Sequence, residues 1–309
     1  MQIGKIKRDS STKTKEPKIS IGVPVYNLEN YIGSTLDSVL SQTFKDFEII
    51  ISDNASTDMT EKICREYAAI DSRVLYYRQF KNTGGIANFK NVLEKSNGKY
   101  FMWLSADDML GNDDYLKFLN DEISENYDYY FTEVSLIDSS GQIKRSNAMH
   151  LFQNCKTQLD LFEASLTENA MHLYSLFFKE KLINDFKYLE MCKDLHSCNE
   201  GLFVHVINAT RKGKFVNKAI KLYRKHKESW SSSVNFRNLV ISQAIYAYKS
   251  ILFILKHTNF TFVNKIIFSM RVFYTSSKAI LFFTLHRFWQ VSGLHKLLFL
   301  KKFIKNFMK

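Results

Sequence analysis

The stretch KISIGVPVYNLENYIGSTLDSVLSQTFKDFEIIIS, residues 18–52, decides the fold of this 309-residue chain. It opens with a β-rich run, Lys18–Val25, and closes with a continuous apolar run, Phe47–Ser52, typical of a strand covered on both faces. Between the two runs, Asn30–Ser41 places its apolar residues at helical spacing. The stretch therefore predicts a strand–helix–strand unit whose two strands lie in one sheet.

The same alternation continues toward the C-terminus. The next predicted elements are a helix at Asp58–Tyr67, a strand at Val74–Gln79, a helix at Gly85–Ser96 and a strand at Tyr100–Ser105. Ser56 or Thr57 is expected to cap the first of these helices. A strand and hairpin are predicted between Asp128 and Ile143, a helix-rich stretch at 155–212 and a further strand at Phe215–Tyr223. This order predicts an α/β fold with an open, mainly parallel sheet and helices on both faces, over residues 18–233.

The net charge of +12 is confined to the C-terminal end of the chain. No Asp or Glu follows Glu228, whereas nine Lys and three Arg do; removing these 12 from the 43 basic residues leaves 31, equal to the 31 acidic residues. No uncharged run reaches the roughly 18 residues of a membrane-spanning helix. The segment 234–309 is therefore expected to form basic amphipathic helices on an anionic membrane surface. The alternative is a helical cap packed on the preceding domain.

Composition also narrows the partners and the compartment. The neutral body argues against a nucleic-acid-binding protein, which would carry basic and aromatic residues on its sheet. Residues 1–17 are basic and polar, resemble no secretory signal and are expected to form a mobile tail. The four cysteines, at positions 64, 155, 192 and 198, show no metal-ligand spacing and are expected to be reduced thiols. We expect a cytoplasmic protein that lies peripherally on the inner face of the cell membrane.

Polar residues follow the predicted strands at the edge where open parallel sheets bind ligands. Tyr26 follows the first strand, Asp53 and Asn54 the second, and the pair Asp107-Asp108 the fourth. Adjacent carboxylates on such a turn suit a divalent cation, Mg²⁺ or Mn²⁺, that neutralises a diphosphate. An acidic pair can also simply precede a helix, so the pair alone does not decide between the two functions.

Other residues could complete a site for transfer of a sugar from a nucleoside diphosphate. Tyr26 offers a stacking face for a base, and Asp53 or Asn54 could hydrogen-bond its edge. A carboxylate must take the proton of the acceptor hydroxyl, and Asp194 and Glu200 are the candidates. His226 lies in a basic stretch after the last predicted strand, where an anionic diphosphate is a suitable partner.

The chain resembles the family 2 inverting glycosyltransferases of GT-A fold. The resemblance rests on an ordered set of motifs between residues 18 and 231: the opening stretch extended to SDNASTDMT, then NTGGIANFKN, GKYFMWLSADD, RKGKF and YRKHKESWS. It implies a nucleotide-diphospho-sugar donor, with UDP- and dTDP-sugars foremost, a divalent cation and inversion at the anomeric carbon. A saccharide or lipid-linked acceptor in bacterial surface-polysaccharide assembly follows from the resemblance together with the basic C-terminal segment.

The resemblance also assigns roles to individual positions of this sequence. The implied assignments are Pro24 and Tyr26 at the base pocket, Asp53 on the base, Asp107 at the ribose, Asp108 at the metal, Glu200 as general base, and His226 at the diphosphate and the metal. Two positions depart from the family pattern. Asn54 stands where a second acid is frequent, and Lys90 must substitute for an arginine without its bidentate fork.

Two other functions are compatible with the predicted sheet. A nucleotidyltransferase would carry a Gly-rich loop with Arg and Lys directly after the first strand, but Tyr26-Asn27-Leu28-Glu29 stands there. A catalytically inactive glycosyltransferase-like binding protein would be expected to have lost acids such as Asp53 and the Asp107-Asp108 pair, which this chain retains.

Overall fold

The computed structural model describes residues 16–145, 152, 155, 157–165, 171–191 and 199–226, and the isolated positions 248, 250, 251, 254, 265, 268–270 and 272. The expected N-terminal tail and most of the expected amphipathic segment 234–309 lie outside these residues. Among the described residues, no helix is both long enough and apolar enough to cross a membrane.

Strands and helices alternate through the first half of the chain, as the apolar pattern predicts. The strands are β1 Ile19–Val25, β2 Phe47–Asp53, β3 Val74–Arg78, β4 Tyr100–Trp103, β5 Met109–Leu110, β6 Tyr129–Ile137, β7 Ile143–Arg145, β8 Leu176–Phe178 and β9 Gly213–Arg224. The helices are α1 Ile32–Leu40, α2 Thr60–Ile70, α3 Gly85–Lys95, α4 Tyr115–Glu122, α5 Gln158–Ser165, α6 Lys179–Glu190 and α7 Asn199–Thr210. A short 3-10 helix spans Met171–Tyr174.

The strands form one sheet in the order β3-β2-β1-β4-β8-β6-β9-β5, with β7 paired to β6. The first four of these strands are parallel to one another, which confirms the predicted α/β architecture. The second half is mixed, because β8 runs antiparallel to both β4 and β6, and β5 runs antiparallel to β9. β6 and β9 are parallel, so β9 ends at the same side of the sheet as β6.

Both faces of the sheet are covered. Helices α1, α2 and α4 pack on one face, and α3, α6 and α7 on the other. Strand β2 shows this directly, since Ile49 and Ile51 belong to one apolar cluster, the intervening Ile50 belongs to the other, and all three are fully buried. The continuous apolar run at 47–52 therefore marks a two-sided strand.

The loops that follow β1 and β2 are tied to each other. The predicted capping of α2 by Ser56 or Thr57 is wrong, because α2 begins at Thr60 and the Asp58 carboxylate accepts the Thr60 N–H at 3.0 Å. Instead the Ser56 hydroxyl accepts the Asn27 N–H at 3.0 Å, and the Thr57 N–H donates to the Asn27 side-chain oxygen at 2.7 Å. These bonds fix the two loops together at the edge where the site lies.

Part of the C-terminal segment packs on the preceding domain. The Phe268 ring is almost fully buried and lies 4.9 Å, centroid to centroid, from Phe162 on α5. Ile254 and Val272 are also fully buried, whereas Met270 is exposed. The described positions of this segment therefore include a packed side and an exposed side, which combines features of the two alternatives drawn from the sequence.

Candidate functional site

The site is centred on Asp107 and His226, which lie 119 residues apart in the chain. His226 Nε2 is 2.9 Å from Asp107 Oδ2. Asp107 occupies the turn between β4 and β5, and His226 follows the end of β9. The pairing of β5 with β9 brings these two segments together. This contact brings together two of the predicted site residues.

Two neighbours orient this pair. The Tyr31 ring lies 4.3 Å from the His226 ring, tilted by 41°. The Ser105 hydroxyl donates to Asp107 Oδ1 at 2.5 Å. The His226 side chain is only 2% exposed, while that of Asp107 retains 14%. Asp107 is therefore the member of the pair that a ligand can reach more readily.

Asp108 is placed differently from its neighbour. Its side chain is buried, Oδ1 accepts the Arg224 backbone N–H at 3.0 Å, and Oδ2 lies 2.8 Å from Lys221 Nζ. Burial raises the pKa of Asp108 to about 6, although the Lys221 charge opposes this shift. This geometry disagrees with the expectation that Asp108 binds the metal, because its side chain is buried against Lys221 and Arg224 and does not face solvent.

Asp53 also has both oxygens engaged. Oδ1 accepts the Ser56 N–H at 2.8 Å, and Oδ2 accepts the Tyr76 hydroxyl and Arg78 Nη1, each at 2.7 Å. The side chain is fully buried. The geometry therefore disagrees with a direct contact between Asp53 and a nucleobase, and Arg78, which the sequence analysis missed, fixes this carboxylate in the protein.

Asn54 holds the loop that precedes α3. Its Oδ1 accepts the Thr83 N–H at 2.8 Å, and its Nδ2 donates to Asn82 Oδ1 at 2.9 Å and to the Gly84 carbonyl at 3.3 Å. Only 3% of Asn54 is exposed. The amide therefore serves the loop at this edge, and its role as a base contact is not supported by these bonds.

Exposed aromatic rings at this edge are available to stack on a nucleobase. Tyr26 is 44% exposed at the end of β1, as its expected stacking role requires. Pro24 is partly buried beside it and is in register with Ser52 of β2. Phe80, in the loop after β3, is fully exposed. Its position just after a strand that ends at the site edge is the sequence signal by which it could have been found.

The expected role of Lys90 in donor binding is not supported, because its ammonium lies 2.6 Å from Glu190 Oε1 on α6. Asn88, two residues earlier on α3, reaches the site edge instead. It is buried and donates from Nδ2 to the carbonyl of Ser52 at 2.9 Å. Asn88 thereby ties α3 to the end of β2, a role that no sequence motif indicated.

Of the two general-base candidates, one lies on a described helix. Glu200 lies in the first turn of α7, as the predicted helix requires, but its side chain is not among those described. Asp194 lies outside the described residues. The buried Cys64 is a reduced thiol, in agreement with the expectation for it.

The residues at this centre fit a divalent cation only with help from a ligand. Within the described ranges, no three His, Cys, Asp or Glu side chains are grouped closely enough to hold a metal. The pair Asp107–His226 supplies one carboxylate and one imidazole. Mg²⁺ is characteristically held by one or two carboxylates together with substrate phosphates. The pair therefore fits a cation that arrives with a diphosphate.

Comparison with known proteins agrees with this arrangement. The family model described as "Glycosyl transferase family 2" matches residues 20–186. The chain is 29% identical over 232 residues to the glycosyltransferase GlyA of Streptococcus pneumoniae, covering 70% of this chain and 32% of GlyA. It is 33% identical over 126 residues to the putative teichuronic acid biosynthesis glycosyltransferase TuaG of Bacillus subtilis, covering 41% of this chain and 50% of TuaG. The chain thus spans half or less of the length of these relatives.

A solved structure with the same architecture is that of Staphylococcus aureus TarS, residues 1–349, in complex with UDP-GlcNAc. The TM-score is 0.61 with 20% sequence identity, covering 88% of this chain and 73% of that chain. At this identity the likeness bears on the fold alone, and it agrees with the α/β sheet described above. The family model spans more than half of the chain. The chain therefore belongs to glycosyl transferase family 2 and has the GT-A fold.

Proposed function

We propose that this protein transfers a sugar from a nucleotide-diphospho-sugar, such as a UDP- or dTDP-sugar, to a hydroxyl group of a saccharide or lipid-linked acceptor. The observation that carries the proposal is the Asp107–His226 pair, 2.9 Å apart, at the edge of the sheet where β1 and β2 also end. Family membership supports the class of reaction. The TuaG likeness supports a role in surface-polysaccharide assembly.

In the proposed site, Asp107 and His226 hold Mg²⁺ or Mn²⁺ against the diphosphate. The metal assignment thus moves from Asp108 to Asp107, which keeps an accessible carboxylate. A bound divalent cation supplies positive charge that stabilises the diphosphate as a leaving group. Tyr26 stacks on the base, and Phe80 offers a second exposed ring at the same edge. The aromatic rings and the charged pair thus recognise opposite ends of the nucleotide.

The proposed reaction is a single displacement. The acceptor oxygen bonds to the anomeric carbon as the bond from that carbon to the diphosphate oxygen breaks, so the configuration inverts. The acceptor proton passes to a carboxylate, for which Glu200, in the first turn of α7, is our choice. A carboxylate within hydrogen-bonding reach of the acceptor is the usual base in such a step.

A thermal-shift panel of nucleoside diphosphates and nucleotide sugars, with and without Mn²⁺, tests the donor proposal. A ligand that binds only the folded state raises the melting temperature. At a ligand concentration of one hundred times its Kd, it adds about 2.7 kcal/mol to the free energy of unfolding. We expect one base to be preferred and Mn²⁺ to increase the shift. Asp107→Asn should remove the Mn²⁺-dependent increment. Absence of any shift across the panel would refute the proposed donor class.

We further propose that residues 234–309 place the enzyme peripherally on the inner face of the cell membrane. The support is compositional, since 12 basic residues and no acidic residue follow Glu228. The described positions add that Phe268 packs against Phe162, which would hold the segment on the domain while its exposed side meets anionic lipid. A lipid-linked acceptor would then be delivered at the same surface.

A further inference from the structure

The turn that carries Asp107 is attached to β9 by two hydrogen bonds and one ion pair, all of which involve buried side chains. The Arg224 backbone N–H donates to Asp108 Oδ1 at 3.0 Å, and Arg224 Nε donates to the Asp107 carbonyl at 2.8 Å. Lys221 Nζ lies 2.8 Å from Asp108 Oδ2. All three side chains, those of Asp108, Lys221 and Arg224, are at most 4% exposed. We name these three residues the buried brace.

Further contacts fix the brace in one arrangement. Lys221 Nζ lies 3.5 Å from the centre of the Tyr174 ring, and Arg224 Nη1 donates to the carbonyls of Asp138 and Ser139 at 3.3 and 3.0 Å. From the other side, the Thr35 hydroxyl on α1 lies 2.7 Å from the Asp108 carbonyl. The Asp107–Asp108 turn is therefore held by α1 and by β9, and Arg224 of β9 is in turn bonded to the loop after β6.

This attachment determines the distance between the two groups that face the ligand. Asp107 belongs to the turn, and His226 lies two residues beyond Arg224 on the same strand extension. Each bond of the brace therefore sets the position of one member of the pair relative to the other. Side chains that hydrogen-bond to metal ligands and orient them contribute to metal affinity. Their removal lowers that affinity by about 10- to 100-fold.

We infer that Asp108, Lys221 and Arg224 are positioning residues that hold the Asp107 carboxylate and the His226 imidazole together as one cation-binding pair. The inference rests on the proposed function, because it concerns the cation site of the same reaction. Asp108 contributes its charge to Lys221 and not to the cation. The two adjacent aspartates thus have separate roles: Asp107 binds the cation, and Asp108 binds Lys221 and Arg224 within the protein.

A double-mutant cycle over Asp108→Asn and Lys221→Met separates positioning from ligation. Either single change leaves one buried charge without its partner and destabilises the protein, whereas replacing both charges removes that penalty. The measurements are the urea midpoint and the Mn²⁺ affinity, the latter by electron paramagnetic resonance titration in the presence of UDP or of the diphosphate preferred in the panel above. We expect each single variant to bind Mn²⁺ about tenfold or more weakly, because the unpaired buried charge displaces the turn, and the double variant, a neutral pair of similar shape, to recover both stability and most of the Mn²⁺ affinity. Loss of Mn²⁺ binding in a folded double variant would make Asp108 a ligand and overturn the inference.

Arg224→Met tests the second part of the brace. It removes the bond to the Asp107 carbonyl, and we expect Mn²⁺ affinity to fall about tenfold or more at a temperature where the variant is fully folded. Arg211→Met is the matched control, since it breaks the bidentate pair with buried Asp185 between α6 and the end of α7. The control should lose stability and keep its Mn²⁺ affinity. Equal Mn²⁺ affinity in the Arg224 variant and the wild type would refute the role of Arg224.

The same titration separates failure of the inference from failure of the proposed function. Wild-type protein that binds no Mn²⁺ with any nucleoside diphosphate would refute the cation site itself. Wild-type binding that also survives Asp107→Asn would place the cation elsewhere, which would overturn both the assignment to Asp107 and the brace.

Discussion

Whether a carboxylate at the end of a buried strand faces the ligand or the protein depends on the donors around it. Asp53 meets a backbone N–H, a phenol and a guanidinium, so its charge is satisfied within the fold. Asp107 meets one hydroxyl and the imidazole of His226, and part of its side chain stays exposed. Both residues lie at the carboxyl ends of parallel strands, Asp53 as the last residue of β2 and Asp107 in the turn after β4, yet of the two only Asp107 retains capacity for a cation.

Asp53→Asn should therefore lower stability without a matching loss of nucleotide affinity. The amide keeps an acceptor for the Ser56 N–H but presents a donor to Arg78, which is partly exposed and can turn to solvent. We expect a loss of about 1–3 kcal/mol in the free energy of unfolding, measured by urea titration. Asp121→Asn, which breaks an exposed pair with Lys117, should change it by less than about 0.5 kcal/mol. A stable Asp53 variant with strongly weakened nucleotide binding would restore its role at the base.

At the scale of single residues, the sequence predicts which edge of the sheet carries polar groups but not which way each one faces. Asp107 and Asp108 are adjacent in one turn and chemically identical. Their difference arises from Lys221 and Arg224, more than one hundred residues later in the chain. A basic residue within the apolar run of β9 was the available signal for a buried partner, because a buried charge requires one.

At the scale of elements, helix α3 approaches strand β1 closely enough to require a glycine between them. A Cβ atom added at Gly22 would lie 2.5 Å from the Phe101 ring and 2.7 Å from a Val92 methyl group. Both neighbours are fully buried, so neither can move aside without disturbing the core. The position of α3 on the sheet, and with it the loop held by Asn54, depends on this contact.

Gly22→Ala should destabilise the protein by about 1–3 kcal/mol, the usual cost of overpacking a dense core. Gly85→Ala is the matched control. Gly85 lies on α3, the helix that packs over Gly22, and a Cβ atom added there would meet no atom within 4 Å. The control should be neutral or more stable by up to about 1 kcal/mol, since alanine favours a helix over glycine. Urea midpoints of the two variants decide the matter, and equal midpoints would contradict the close approach.

The long elements could be predicted because each carries a recognisable apolar pattern over seven or more residues, as in β1, β2 and α3. The short strands could not. β5 has two residues and β8 has three, too few to show alternation, although these strands make the second half of the sheet mixed. Strand order likewise depends on contacts between distant segments, such as β6 beside β9, and a local pattern carries no information about them.

At the scale of the whole molecule, charge and packing are divided along the chain. The first 228 residues carry equal numbers of acids and bases, and the described part of the C-terminal segment rests on α5 through Phe268. The positive charge of the C-terminal segment would attract an anionic surface. The catalytic domain would remain formally neutral, so the edge of the sheet that carries the site would not need a positively charged surface. This distribution supports the proposed docking, in which this basic C-terminal appendage would meet an anionic surface first.

Removing charge from the end of that appendage should weaken binding to anionic vesicles. The four substitutions to glutamine are at Lys301, Lys302, Lys305 and Lys309. Each lysine near an anionic surface contributes roughly 1 kcal/mol, so the vesicle Kd should rise by at least about tenfold in a sedimentation assay. Binding of the wild type should also fall steeply as salt shortens the Debye length from about 10 Å at 0.1 M to about 3 Å at 1 M.

The matched control changes the same number of exposed lysines on the body. These are Lys45, Lys62, Lys187 and Lys218. Both quadruple variants have the same net charge, so a general charge effect would weaken vesicle binding equally in the two. We expect the body variant to bind nearly as the wild type does, because the attraction falls off within a Debye length of the surface. Equal weakening of the two variants, or none in either, would refute docking through residues 234–309.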